Sequence, residues 1–386
     1  MSTRPLFALL TVVSLACGVR AADDNPEYNG RKLKDWDTML REEQNARLRR
    51  VALASMGQIA SDHALNSKLV KDVMTAVGRT LKTDSVPAVR KLAAEIAGAM
   101  AVKLIEDSKN SDTASVILDL AENLRVEKES DVRKEVAIAL GRFGKDSKTA
   151  VTSLIAVLAD KEPATRAAAA DTLGRIGGGA SPSADALLPL LKDPDKAVRG
   201  AAIFALGRIE PEDPSKLSGV LLPLVKTEPD VELRRAVVAS LGILGDRNPA
   251  TVQGTAVGLL DADVDVRRQT ALALGKFVGG GKIVQKELKA AFETDKDKQV
   301  RGAALRALTV GFGADAKTLI PMIAARLKVE PEFDVRIAIV EEFGAMEADG
   351  KDALPALREA QKDAQTKVRE AATAAIKRIS NPKPKM

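Results

Sequence analysis

The chain has 386 residues, 59 basic against 53 acidic, with 45% hydrophobic residues but only eight Phe, one Trp and one Tyr. That length ordinarily means two or three domains, yet so few aromatics argue against large compact cores, which draw much of their buried area from such rings. One Cys and one His exclude an internal disulfide and any His/Cys metal cluster, so catalysis would have to rest on Asp, Glu, Lys, Arg, Ser or Thr.

Residues 1–21 read as a secretory signal peptide: Arg4 in a short basic start, an apolar run from Leu6 to Leu15, and small residues around Val19-Arg20-Ala21 that suit cleavage. The run is too short for a membrane span of about 20 residues, and no later stretch is apolar enough, so no transmembrane segment is expected. Cleavage removes Arg4, Arg20 and Cys17 and takes the formal net charge from +6 to +4. A lipid anchor on Cys17 is the competing reading; it is disfavoured because Ser14 stands where a branched aliphatic residue belongs. The expected location is therefore periplasm, cell surface or medium.

Residues 22–44 form an opening segment and first helix, in which Trp36 is expected to close the exposed end of the core. His63 stands alone in a polar connector and reads as a surface residue.

From residue 45 to 380 the chain repeats. An Arg recurs as Arg49, Arg90, Arg133, Arg166, Arg199, Arg234, Arg267, Arg301, Arg336 and Arg369, at spacings of 41, 43, 33, 33, 35, 33, 34, 35 and 33. Eight positions after it stands Gly in eight copies, Thr309 and Lys377 being the departures. Four positions before it stands an acid in seven copies, whose Asp members are natural helix N-caps. Positions Arg+3, +4, +7 and +10 complete an apolar face at about 100° per residue, which predicts an amphipathic helix. Ahead of each such helix lies another apolar-periodic segment, such as Leu187-Leu188-Pro189-Leu190-Leu191, so each repeat is two antiparallel helices joined by turns like Asp193-Pro194-Asp195. No stretch alternates at period two over strand lengths. Gly279-Gly280-Gly281-Lys282 lacks the spacing of a nucleotide-binding loop, because Lys276 and Ile283 stand where Gly and Ser or Thr are needed. Residues 381–386 form a short basic tail in which Pro382 and Pro384 stop the helix.

The pattern Asp-x-x-Val-Arg-x-x-Ala-x-x-Ala-Leu-Gly-x-Ile-Gly, fullest in residues 195–209 and 162–177, resembles the HEAT repeat, in particular the bacterial HEAT-like or phycobilin-lyase-type variety. The opening Tyr28-Asn29-Gly30-Arg31-Lys32-Leu33-Lys34-Asp35-Trp36 resembles the segment before the repeats in secreted bacterial members. The resemblance implies an all-α, right-handed α-solenoid of about ten helix pairs, with the second helices lining the concave surface.

On the helical wheel the repeat arginines fall inside the core stripe, so each is expected to be paired, with a capping carboxylate of its own or an adjoining repeat. Their role is read as structural, as is that of the glycines, which would allow close helix approach. Positions Arg+1, +5 and +9 point away from the core. In the middle repeats they include Lys134, Arg142, Arg175, Phe204, Arg208, Arg235, Arg268 and Lys276, with Asp171 as the one acid. This is the candidate partner-binding face for an acidic or mixed protein; the competing reading is a solvated face. The functional expectation is an exported, monomeric, non-catalytic scaffold without metal or cofactor. Binding of anionic glycan or another polyanion is the second reading, and a lyase-type enzyme the third, set back by the want of any Cys or His pair. Nucleic acid is not expected, given the modest charge and few aromatics.

Overall fold

The computed structural model describes residues 25–63, 66–106, 113–277 and 279–382. The predicted signal sequence with Cys17, and the tail beyond Pro382, lie outside these residues.

The described chain opens on a feature the sequence reading missed. Glu27–Tyr28 and Arg31–Lys32 pair antiparallel across Asn29 and Gly30, both at positive φ. The hairpin is only two residues per strand, too short to show alternation, but Asn-Gly is the strongest short hairpin signal and stood in view. The hairpin fixes Trp36: its indole N–H donates to the Tyr28 carbonyl at 3.0 Å, Arg31 lies over its ring, and the side chain is buried in the first core layer.

Each of the ten repeat arginines sits on the second helix of a helix pair. These helices are Ala46–Asp62, Pro87–Glu106, Ser130–Phe143, Pro163–Ile176, Lys196–Leu206, Val231–Leu244, Val264–Leu274, Lys298–Phe312, Phe333–Ala345 and Thr366–Ser380. Their starts follow the caps read from sequence: Asp195, Asp230, Asp263 and Asp297 each accept from backbone N–H groups two or three residues on. The first helices are less regular than expected. Around Pro189 the segment divides into Ala184–Leu187 and a 3-10 stretch Leu188–Lys192, and Pro223 divides Pro214–Leu221 from Leu224–Thr227. Proline has no N–H for the preceding turn and its ring crowds the carbonyl four residues back.

The core is a thin band of Ala, Leu, Val and Ile between the two helix layers, with Phe143, Phe277, Phe292 and Phe343 as its largest fully buried side chains. The two layers stack unequally. A Cβ on Gly207 would stand 2.9 Å from the Ser240 Cα of the next second helix, and one on Gly242 would stand 3.0 Å from that of Ala273. Neighbouring second helices therefore approach at backbone distance. On the first-helix side one pair stands apart: between Pro249–Leu260 and Gln285–Thr294 lies an open groove of about 640 Å³ lined by Ala256, Leu259, Leu260 and Ala290. Close stacking of the second helices is what the expected placement of that side on the inside of the curve requires. The molecule is an all-α solenoid.

Candidate functional site

Two rows of charged side chains run along the stack, and the structure separates their roles. The first is the row of repeat arginines, which form a continuous ladder. Nε and Nη2 of Arg166 reach the two oxygens of Asp193 at 2.8 and 3.0 Å, and Arg336 holds Asp363 at the same distances. The same arrangement joins Arg49 to Asp84, Arg90 to Glu127, Arg199 to Glu228, Arg234 to Asp261, Arg267 to Asp295 and Arg301 to Glu330, while Arg133 reaches Asp160 through one oxygen. In every case the acid belongs to the next repeat.

The third guanidinium nitrogen turns the pairs into a chain. Nη1 of Arg199 donates to the Asp193 carbonyl at 3.0 Å, and that of Arg234 to the Glu228 carbonyl at 3.1 Å. Each ladder acid is thus held by its carboxylate from one side and by its carbonyl from the other. Its carboxylate also accepts the backbone N–H two residues on, as Asp193 does from Asp195 at 2.9 Å, which shapes the turn between the two helices of a repeat.

The sequence reading expected a carboxylate for each arginine and named the N-cap acid at Arg−4 as a candidate. The partner stands at Arg−6 of the next repeat: Asp84, Glu127, Asp160, Asp193, Glu228, Asp261, Asp295, Glu330 and Asp363, with Glu43 at the same position in the first repeat. That position is acidic in all ten copies, a stronger signal than the seven at Arg−4, and counting it would have found the ladder. The terminal Arg369 keeps its bonds to the Asp363 and Ala364 carbonyls and to Thr366.

Electrostatics agree with the geometry. Burial pushes the Asp193 carboxyl up, but the bonds from Arg166 and the Asp195 amide outweigh it and hold the group below the usual carboxylate range. Asp160, Asp261, Glu127 and Glu330 are held low by the same contest, and Asp363 chiefly by the Arg336 bond. These charges satisfy one another inside the stack, which leaves the ladder no free valence for a ligand.

The second row is the inner wall of second helices. The structure places all eight predicted partner-binding residues there, but it neutralises several. Lys134 reaches Asp131 at 3.6 Å, Arg175 reaches Asp171 at 2.6 Å, and Arg235 and Arg268 reach the two oxygens of Asp265 at 3.1 and 2.6 Å. Asp131 and Asp265 stand at Arg−2, about 60° on the same wheel and so on this wall between Arg+5 and Arg+9, a position the sequence count of acids left out. Among the described residues, Arg142, Arg208 and Lys276 are the three of these cations without a carboxylate, and all three are exposed.

The Arg+9 side chains have a defined seat. The Cδ of Arg142 stands 3.3 Å from where a Cβ on Gly98 would be, and that of Arg175 is equally close to Gly141. Gly98 and Gly141 thus each form a notch in which the aliphatic stem of the next repeat's arginine lies, with the guanidinium directed outward. At Arg208 the seat is different: its guanidinium lies 4.4 Å from the centroid of the Phe204 ring, and that ring faces Gly174. Beyond these, the wall exposes Ile243, Leu272 and Val310 at 46%, 43% and 52%, three aliphatics on three consecutive repeats.

The profile of HEAT repeats matches residues 117–207, 184–275 and 220–309, together half of the chain. The chain belongs to the HEAT-repeat family. In structure this HEAT-repeat protein is similar to an engineered protein known from a crystal structure, at 20% identity and a TM-score of 0.57, covering 90% of this chain and 99% of the engineered one. No curated protein matches it in sequence. HEAT-repeat solenoids serve in general as protein-interaction scaffolds. Among the described residues no helix is long and apolar enough to cross a membrane.

Proposed function

We propose that this HEAT-repeat protein is an exported, non-catalytic scaffold that binds another protein along the inner wall of its second helices. The observation that carries the reading is the composition of that wall: discrete exposed guanidiniums at Arg142 and Arg208, the half-exposed ring of Phe204 between them, and the exposed aliphatics Ile243, Leu272 and Val310 in the next repeats. Apolar anchors among separated charges suit a folded or peptide partner. A uniform polyanion would meet Asp131, Asp171 and Asp265 at the same surface. Export rests on the leader sequence alone and is tested by the N-terminus and compartment of the protein in the producing cell.

The binding reading is tested by affinity capture with the tagged protein from the extracytoplasmic fraction. We expect a defined partner to be lost with R142E/R208E and retained with K226E, a reversal at an exposed lysine of a first helix. A partner retained by R142E/R208E as well as by an L272D variant overturns the inner wall as the binding surface.

A further inference from the structure

Resting on that reading, we propose that Arg142, Arg175 and Arg208 together seat an extended acidic segment of the partner, one in polyproline II conformation with a carboxylate at every third residue. The three residues occupy the same place on three consecutive second helices, at Arg+9 of the repeats around Arg133, Arg166 and Arg199. Because those helices approach at glycine and small-residue contacts, their axes stand about 8–10 Å apart, and guanidiniums at equivalent positions repeat at that interval.

The interval selects the ligand's conformation. In a β-strand, residues two apart share a face at about 6.6 Å and residues three apart point to opposite faces. A polyproline II segment returns to the same side every third residue and advances about 9.3 Å in doing so. Only the second places successive carboxylates on one side at the spacing of the arginine row.

The row is also ordered before any ligand arrives. The stems of Arg142 and Arg175 lie in the Gly98 and Gly141 notches, and Arg208 is stacked on Phe204. Little side-chain freedom is then lost on binding. The middle guanidinium is occupied by Asp171 at 2.6 Å, a pair exposed at 54% and 41%. A ligand carboxylate must displace or share that bond, so Asp171 acts as an internal competitor that lowers affinity for any acidic segment. It also weakens the case for a sulfated or phosphorylated polymer, whose charge density would face that carboxylate whatever its register.

The test uses fluorescent peptides and the intact protein. The first peptide repeats Glu-Pro-Ala four times, proline favouring an extended residue before it; the second has the same composition with its glutamates contiguous. A heparin fragment serves as the polyanion. The expected result is at least tenfold tighter binding of the period-three peptide than of the contiguous one. Binding should be lost with R142E/R208E, weakened at least tenfold with the milder R142Q/R208Q, and strengthened severalfold with D171A. Circular dichroism checks that each variant keeps its helix content. Equal binding of the two peptides, no gain in D171A, or displacement of the peptide by heparin at equal charge concentration overturns the proposal. If the captured partner still depends on Arg142 and Arg208 while peptide spacing is immaterial, the scaffold reading stands and this inference falls alone.

Discussion

The ladder is most exposed to test at Arg301. Its side chain is 5% exposed and its partner Glu330 is fully buried, with Nη2 to Oε1 at 2.5 Å and Nε to Oε2 at 3.0 Å. Replacing Arg301 by Met keeps the length of the stem and removes the charge. Breaking a buried pair on one side costs about 3–5 kcal/mol, because the remaining charge loses its compensation. Here Glu330 keeps Arg326, whose Nη2 lies at 2.6 Å, which moves the expectation to the lower end. The bonds from Nη1 to the Asp295 and Lys296 carbonyls, at 2.9 and 3.1 Å, are lost with the same side chain and fall within that cost. The net expectation for R301M is a loss of about 3–4 kcal/mol, against about 1–2 kcal/mol for R326M, which leaves the ladder bond in place. R301M/E330Q should recover little of this loss, since Arg326 then loses its carboxylate. In a repeat stack the loss is local to one joint. Hydrogen exchange should therefore show Lys298–Phe312 and Phe333–Ala345 opening before the N-terminal helices, with urea unfolding giving the totals. An R301M protein within 1 kcal/mol of the parent, or indistinguishable from R326M, refutes the account of the ladder as the joint's main polar bond.

Three further outcomes are expected. Gly207→Ala would place its Cβ 2.6 Å from that of Ser240, and overpacking of about 1–3 kcal/mol exceeds the gain of about 1 kcal/mol in helix propensity. Gly275→Ala meets Ala307 at an ordinary 3.4 Å and should be neutral or slightly stabilising, so the two urea midpoints should move in opposite directions. Trp36→Ala empties the first layer and removes the bond to the Tyr28 carbonyl, so protection of Ala46–Asp62 should fall by about 3–5 kcal/mol with the C-terminal repeats unaffected. For pH, the depressed carboxylates of Glu127, Asp160, Asp193, Asp261, Glu330 and Asp363 stabilise the fold above the ordinary carboxylate range near 4 and lose that contribution as pH falls through their folded values. Their contribution to the urea midpoint should stay level from pH 7 to 5 and decline below about pH 4; a decline already under way at pH 6 would contradict it.

The solenoid was legible because its dictating residues recur in sequence. One arginine every 33 to 43 residues and, in eight copies, one glycine eight later are local marks of a helix and its contact side, and repetition makes them unmistakable. The ladder was half legible: burial of the arginine follows from the wheel, but the acid that pairs with it lies on the next repeat. Only a count along position Arg−6, or the structure, shows that one carboxylate serves two repeats. The inner wall was least legible. Its cations could be placed on a face, but whether Arg235 and Arg268 are free depends on how far side chains reach. Asp265 is three residues from one and thirty from the other.

The two departures from glycine at Arg+8 follow from the same packing logic. The glycine exists to admit the small residue at Arg+6 of the next second helix, as Gly174 admits Ala205 and Gly344 admits Ala375. At Thr309 that neighbour is Glu342, and the Thr309 hydroxyl donates to its carboxylate at 2.6 Å. A polar bridge there replaces the close backbone contact, and burial raises the Glu342 carboxyl despite the Thr309 bond. That joint is held by a half-buried titratable group in place of a glycine contact, with Val310 exposed beside it. Lys377 lies on Thr366–Ser380, where no further second helix stands against it among the described residues, and its side chain is exposed. The same substitution in the middle of the stack would drive a lysine into the backbone of the next helix.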